Sequence, residues 1–292
     1  MALGPPRFLT RRYLGGAQVY ASGSAAALGV ANLLDEDRTM LWRADSASEA
    51  YVDLDLGEIK PVNCIAMIQH NLSYDGGLEI RAGAAQGGGE LMTVAYDAWE
   101  PLWGGDESPA DEHDADGFPT DEERAKYFPA GTMRLIYLDQ LVLPRWLRVY
   151  LHGPTWADEY NPTGLIQAGI VIPGCYFEAD RRVSAPLPLG PEETSKLDYA
   201  EGGQVWVDEG ARFRGGQYKF DNSAAGVALG GWYDLLQEVG VGKHLVADLF
   251  PGAISQVLRI RNQFYCHLTK FQRISLDRMV RGGLALEIRE SN

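Results

Sequence analysis

Between residues 32 and 83 the apolar positions fall into three strand-like runs. Val52, Leu54 and Leu56 alternate with Asp53 and Asp55, the period-two pattern of a strand buried on one face. Residues 62–68 are apolar nearly throughout, as a central strand covered on both sides requires. Leu78 and Ile80 then alternate with Glu79 and Arg81. Further short runs at 17–21, 92–99, 133–138, 147–151 and 169–172 carry the same signal, separated by Gly and Pro turns and by no helical period. Many short strands without a helix predict a two-sheet all-β domain over residues 17–180.

The pattern changes after residues 181–195, where Pro186, Pro188 and Pro191 stand in an aperiodic stretch that reads as a linker. Beyond it lies a strand rich in Arg and aromatics at 211–221, followed by a helix at 223–239. Ala228, Trp232, Leu235, Leu236 and Val239 share one face of that helix; Asp221, Asn222 or Ser223 would cap its start and Gly240 its end. Strands at 244–250, 257–260, 264–270 and 284–288 complete a small α+β domain over 196–292. With a boundary there, a chain ending near Arg182 is expected to fold alone. Residues 1–16 have no period, yet carry Arg7, Phe8, Leu9, Arg11, Arg12, Tyr13 and Leu14. They are expected to form an extended arm lying on the second domain or on a neighbouring subunit.

The chain has 292 residues and 46% hydrophobic content, enough for a real core. Its net charge of −14 argues against a nucleic-acid partner, because phosphate binding needs a basic face. Residues 103–124 hold nine acids and one Arg, so −8 of that charge sits in one stretch and −6 in the rest. That stretch belongs to an insertion, 101–132, too long for an ordinary hairpin loop. Within it, Glu112, Asp114, Asp116, the carbonyl of Phe118, Thr120 and Glu123 fall at the ligand positions of a calcium loop, with Gly117 at the sharp turn. Position one is Glu instead of Asp, and Pro119 follows Phe118, so a solvated acidic loop is the competing reading. Ca2+ is the one metal suggested, and no cofactor is required.

Cys64, Cys175 and Cys266 have no paired spacing and read as reduced thiols. The first residues lack the apolar core of a signal peptide, and no run approaches the ~18 residues of a membrane span. Assembly in a reducing cytoplasm, without membrane insertion, is the expectation. No nucleophile elbow, zinc-protease motif or dinucleotide loop is present. The GVGKH at 240–244 has Gln237 where a phosphate loop needs its first Gly, and His244 in place of Ser or Thr. The chain is therefore not expected to be an enzyme.

A polar loop at 35–39 before Trp42, a strand ending in Asp55-Leu56-Gly57 and a strand reaching His70-Asn71 together resemble the discoidin, or galactose-binding-like, family. RWLRVYLHGP (145–154) and GLIQAGIVIPGCYF (164–177) resemble its last strands, so the resemblance covers roughly half of the chain. It implies a jelly-roll β-sandwich that binds sugars, lipids or proteins through loops at one end. By the same resemblance, His70 and Asn71 would hold sugar hydroxyls while Trp42 or Trp156 offers a ring face. The alternative is that Trp42 is core and His70-Asn71 a strand-ending turn. The 35–39 loop can hold a structural calcium in the family, completed by a Glu near the last strand, where this chain has Gln167 and Gly169.

Many sequences with this run are tail-tip proteins of long-tailed bacteriophages. The resemblance therefore implies a structural component of a tail tip or baseplate, assembled in the bacterial cytoplasm and located in the virion. Its partners would be other tail-tip proteins, copies of itself and a host-surface glycan. The alternative is a free carbohydrate-binding protein or the accessory module of a glycan-processing system, for which an export signal would be usual.

Overall fold

The computed structural model describes residues 4–10, 12–25, 28–37, 39–99, 132–184, 191–199, 205–208, 210, 212–252, 262–270, 273–277 and 281–291. The strand expected at 257–260 and nearly all of the 101–132 insertion lie outside them, and so does every residue of the calcium-loop candidate from Glu112 to Glu123.

In chain order the first strands are β1 (Arg7–Thr10), β2 (Gln18–Ala21), β3 (Trp42–Arg43), β4 (Glu49–Asp55), β5 (Val62–Ile68), β6 (Gly77–Gly83) and β7 (Met92–Asp97). There follow β8 (Met133–Val142), β9 (Trp146–His152), β10 (Gln167–Ala168), β11 (Ile170–Gly174), β12 (Phe177–Glu178), β13 (Pro191–Glu193), β14 (Lys196–Tyr199) and β15 (Val205–Asp208). The last are β16 (Arg212–Ala224), β17 (His244–Asp248), β18 (Gln263–Leu268), β19 (Ser275–Asp277) and β20 (Arg281–Glu290). The fold is mainly β, as the alternation of apolar positions predicts.

A five-stranded antiparallel sheet, β2-β4-β9-β6-β7, faces a three-stranded one, β11-β5-β8. Between them lies a core of Val52, Leu54, Ile80, Val149, Ile65, Met67 and Ile136, closed at the side by Trp42 and Leu33. This is the expected sandwich. A bulge after Val62 resets the alternation of β5, so that Ile65 and Met67 enter this core while Cys64, Ala66 and Ile68 point the other way.

Those outward residues, with Leu135, Ile170 and Ile172, pack on Leu9, Val246 and Tyr265 of a third sheet, β12-β1-β17-β18-β20-β16-β13. β5 is therefore covered on both faces, which is why it reads as an apolar run broken only by Asn63. Across this seam the Tyr137 hydroxyl donates to Asp248 Oδ2 at 2.8 Å, and burial together with that carboxylate pushes the phenol upward. Residues 1–16, expected as an arm, supply β1, which pairs with β12 on one side and with β17 on the other. Phe8 is fully buried against Trp232, and Arg7 lies over the rings of Tyr137 and Tyr176 while bonding Glu178 at 2.7 Å. The third sheet thus takes strands from both sides of the 181–195 stretch.

The far face of that sheet is closed by the helix, built of Ala225–Val227, a π turn at Ala228–Trp232 and Tyr233–Val239. Its buried residues are the five that share a face in the sequence: Ala228, Trp232, Leu235, Leu236 and Val239. Gly231 is required at the π turn, since a Cβ there would meet the Phe177 ring 2.1 Å away. The helix start departs from expectation. β16 continues to Ala224, which occupies the N-cap position with no side-chain cap, and its N–H is met by Asp180 Oδ2 at 2.7 Å. Gly240 ends the helix at φ +56°.

Candidate functional site

The chain leaves β5 at Ile68 and turns sharply at Gln69, whose φ is +59°. Gln69 N–H donates to Thr132 O at 2.6 Å, and the Thr132 hydroxyl donates back to the His70 carbonyl. These two bonds fix the strand end against the start of β8. Asn71 then ties the turn to the 153–167 loop. Its Nδ2 donates to Leu165 O at 2.8 Å and to Trp156 O at 3.2 Å, while its Oδ1 accepts from Gln167 N–H at 2.8 Å. Trp156 N–H donates to the Asn71 carbonyl at 2.8 Å. With its side chain spent on three backbone groups, Asn71 is a brace that shapes the site from below.

His70 behaves differently. It is 4% exposed, its ring meets Trp99 edge-on at 5.5 Å, and its Nδ1 has no hydrogen-bond partner among the described residues. Burial, with a smaller push from the Arg134 charge, lowers its pKa to about 3, so the imidazole is neutral at any ordinary pH. An unmet buried polar atom costs about 1–3 kcal/mol, and native structures keep few of them. Trp156 is half-buried and packs edge-on to Tyr74 at 4.9 Å and to Trp99 at 5.3 Å, which fixes its indole in place.

His70, Asn71, Thr132, Trp156, Asp158 and Gln167 line a cavity of about 160 Å³ at this end of the sandwich. At about 30 Å³ per water molecule it holds roughly five waters, the space of one small polar ring. Asp158 Oδ1 receives the N–H groups of Tyr160 and Asn161, so one oxygen shapes the loop. Gln167 Oε1 accepts from Arg43 Nη2 at 3.2 Å. The cavity is therefore lined by a buried neutral imidazole, a loop carboxylate and a rigid indole.

Three of the four residues expected at a ligand meet here: His70, Asn71 and Trp156. Trp42 does not. It is fully buried in the sandwich core, and its indole N–H donates to Ser24 Oγ at 3.0 Å and to Gly23 O at 3.2 Å, leaving no ring face for a ligand. Thr132 and Asp158 were not singled out in the sequence. Thr132 is adjacent to β8 and bonds across 62 residues, a pairing that no local pattern encodes. In the 35–39 loop, Asp35 Oδ1 accepts from Asp37 N–H and Asp37 Oδ1 from Thr39 N–H, both at 2.8 Å, so these oxygens close turns. Among the described residues no group of three His, Cys, Asp or Glu side chains is placed to hold a metal.

No family model matches the chain, and no curated protein matches it. Among solved structures, CBM32-5 of CpGH89 from Clostridium perfringens, in complex with GalNAc-beta-1,3-galactose, is 9% identical with a TM-score of 0.36, over 56% of this chain and 97% of that one. The family 32 CBM of C. perfringens NanJ, in complex with galactose, is 11% identical with a TM-score of 0.35, over 59% of this chain and 99% of that one. A Ruminococcus gnavus GH29 fucosidase in complex with fucose is 11% identical with a TM-score of 0.34 over 57% of this chain, and the match spans 26% of the fucosidase. TM-scores of this size, over little more than half of the chain, establish neither a shared ligand nor a shared activity.

Proposed function

We propose that the chain is a recognition protein that binds a single sugar residue of a glycan, without turnover, in the cavity at the His70 end of the sandwich. The observation that supports this reading is a small cavity lined by the fixed indole of Trp156 and by neutral, buried His70, whose Nδ1 has no partner among the described residues. A hydroxyl can both donate and accept, so it satisfies an imidazole nitrogen in either tautomer. A pyranose C–H face packs on an indole. An anionic ligand would gain no charge from a neutral His70 and would meet Asp158.

The test is glycan-array screening and calorimetry on the full chain, repeated with Trp156→Ala and Asp158→Ala. Binding to glycans ending in a neutral sugar is expected, weakened about tenfold or more by each substitution, with melting curves showing that both variants stay folded. No glycan bound above background by the wild type, or binding indifferent to both substitutions, would reject the site.

A second reading adds an anchorage. Ile59, Leu91, Leu141 and Leu143 are 66%, 44%, 57% and 56% exposed. β5–β8 and β6–β9 pairing puts them at the end of the sandwich opposite His70. Exposed apolar side chains at one end favour a protein contact, the surface that a fixed component of a bacteriophage tail tip or baseplate would need, with the sugar cavity facing outward. Mass spectrometry of virions from the source phage checks it: a particle without the chain, while the gene is expressed, would leave the free carbohydrate-binding protein.

A further inference from the structure

A larger cavity, about 370 Å³, lies away from the sugar site, where the turn after β1, the loop following residue 30 and the end of the helix converge. Its volume falls at the lower end of the range of about 300–1,000 Å³ usual for small-molecule sites. Leu14, Leu34 and Val239 supply an apolar wall, and Glu36, Glu238, Lys243 and His244 stand around it. Glu36 comes from the sandwich, whereas Lys243 and the second acid, Glu238, come from the end of the helix and the turn after it, so Lys243 faces Glu36 across the seam.

Both charges are steered by neighbours. His244 Nδ1 lies 3.4 Å from Glu36 Oε2, and its ring stacks on Tyr265 at a centroid distance of 4.8 Å. The Tyr265 hydroxyl donates to the Glu36 carbonyl at 3.4 Å. Lys243 Nζ reaches the Glu238 carbonyl at 3.3 Å, which folds its stem toward the helix end. The tight turn carrying it depends on Gly240 and Gly242, at φ +56° and +98°.

A wholly apolar occupant would strip water from these charged groups without replacing it, a large cost. A simple anion would face Glu36 and Glu238, and a simple cation would leave Lys243 without a counter-charge. The complementary molecule has an apolar body and one charge of each sign. We propose that this cavity binds a free α-amino acid with a bulky apolar side chain, its ammonium at Glu36, its carboxylate at Lys243 and its side chain against Leu14, Leu34 and Val239. Because the walls belong to both sides of the seam, the bound amino acid would also hold the third sheet on the sandwich.

Thermal melting of the full chain tests this with L-leucine, L-isoleucine and L-phenylalanine at millimolar concentration, beside two half-molecules of leucine. These are 4-methylpentanoate, which lacks the ammonium, and 3-methylbutylamine, which lacks the carboxylate. A ligand of the folded state raises the melting temperature by mass action, so at least one amino acid is expected to raise it while neither half-molecule does. Lys243→Ala and Glu36→Gln should each weaken calorimetric binding about tenfold or more. No response to any of the three amino acids, or an equal response to a half-molecule, would overturn the proposal. The ligand-free melting curve of each variant serves as the folding control, independent of whether a glycan binds at the His70 cavity.

Discussion

The two outer faces of the sandwich solve opposite problems with the same strand geometry. The outer face of β11-β5-β8 is small and apolar, with Cys64, Ala66, Ile68, Ile170 and Ile172, and lies under the third sheet. The outer face of β2-β4-β9-β6-β7 keeps Tyr20, Tyr51, Trp146 and Tyr150 at least partly in solvent, interleaved with Arg81 and Arg148. At its centre Asp53 is 0% exposed and grips Arg148, whose Nη2 lies 2.6 Å from Asp53 Oδ2 and whose guanidinium sits 3.9 Å above the Tyr51 ring. Gln86 Nε2 adds a bond to the same carboxylate at 3.0 Å. One face is dry because another sheet covers it. The other is dry only at the point where an ion pair, aromatic rings and a hairpin side chain cover each other.

The strongest way to break this comparison is to take the cover away. Truncation after Arg182 removes β17 and β18, leaves β1 without its long partner and bares Cys64, Ala66 and Ile68. Independent folding of 1–182 was the sequence expectation. The packing predicts instead a fragment that aggregates or loses its cooperative transition, checked by urea unfolding and light scattering beside the full chain.

Arg148→Met probes the other face. It leaves Asp53 buried with its charge uncompensated, and a loss of about 3–5 kcal/mol is expected from chemical denaturation. A loss below about 1 kcal/mol would mean that water already reaches that carboxylate.

Acid should separate the faces by a smaller margin. His70 has its pKa lowered to about 3 by burial, against ~6.5 unfolded, so the unfolded chain binds its proton first. Its contribution is complete above about pH 6.5 and falls away as pH drops toward 3, by up to ~1.4 kcal/mol per pH unit. The Arg145 hydrogen bond holds Asp55 below the usual carboxylate range, so what Asp55 adds on the polar face is lost only as pH falls below ~3.9. Half-buried His267, lowered mainly by burial, has the same sign as His70. His70→Gln should therefore flatten the stability slope between pH 6.5 and 4 without removing it; an unchanged slope would place the His70 ring in water.

What the sequence disclosed follows from how locally each feature is encoded. The double burial of β5 was legible because every residue from Val62 to Ile68 had to satisfy it, except Asn63, which stands at the bulge and takes the Tyr176 N–H at 3.2 Å. The buried face of the helix was legible for the same reason, although its π turn was not. Trp42 was misplaced as a ligand platform because an indole in a short strand after a polar loop has the same local signature whether it turns inward or out; the Gly23 and Ser24 acceptors that hold it inward are 19 and 18 residues away. The cavity at His70 was legible in part. His70 and Asn71 are adjacent in sequence, but the groups that make Asn71 a brace lie 85 to 96 residues downstream.

β1 carries a consequence for how the molecule is made. Arg7 leaves the ribosome 171 positions ahead of its ion-pair partner Glu178, and Leu9 waits for Val246 to complete its ladder. Contacts this distant in sequence slow folding, because the loop between them must close first. At an elongation rate of about 5–20 residues per second, the leading strand spends upwards of about ten seconds without a neighbour. During that interval Phe8 and Leu9 are sticky and unclaimed, and the stretch around them is where a chaperone would bind.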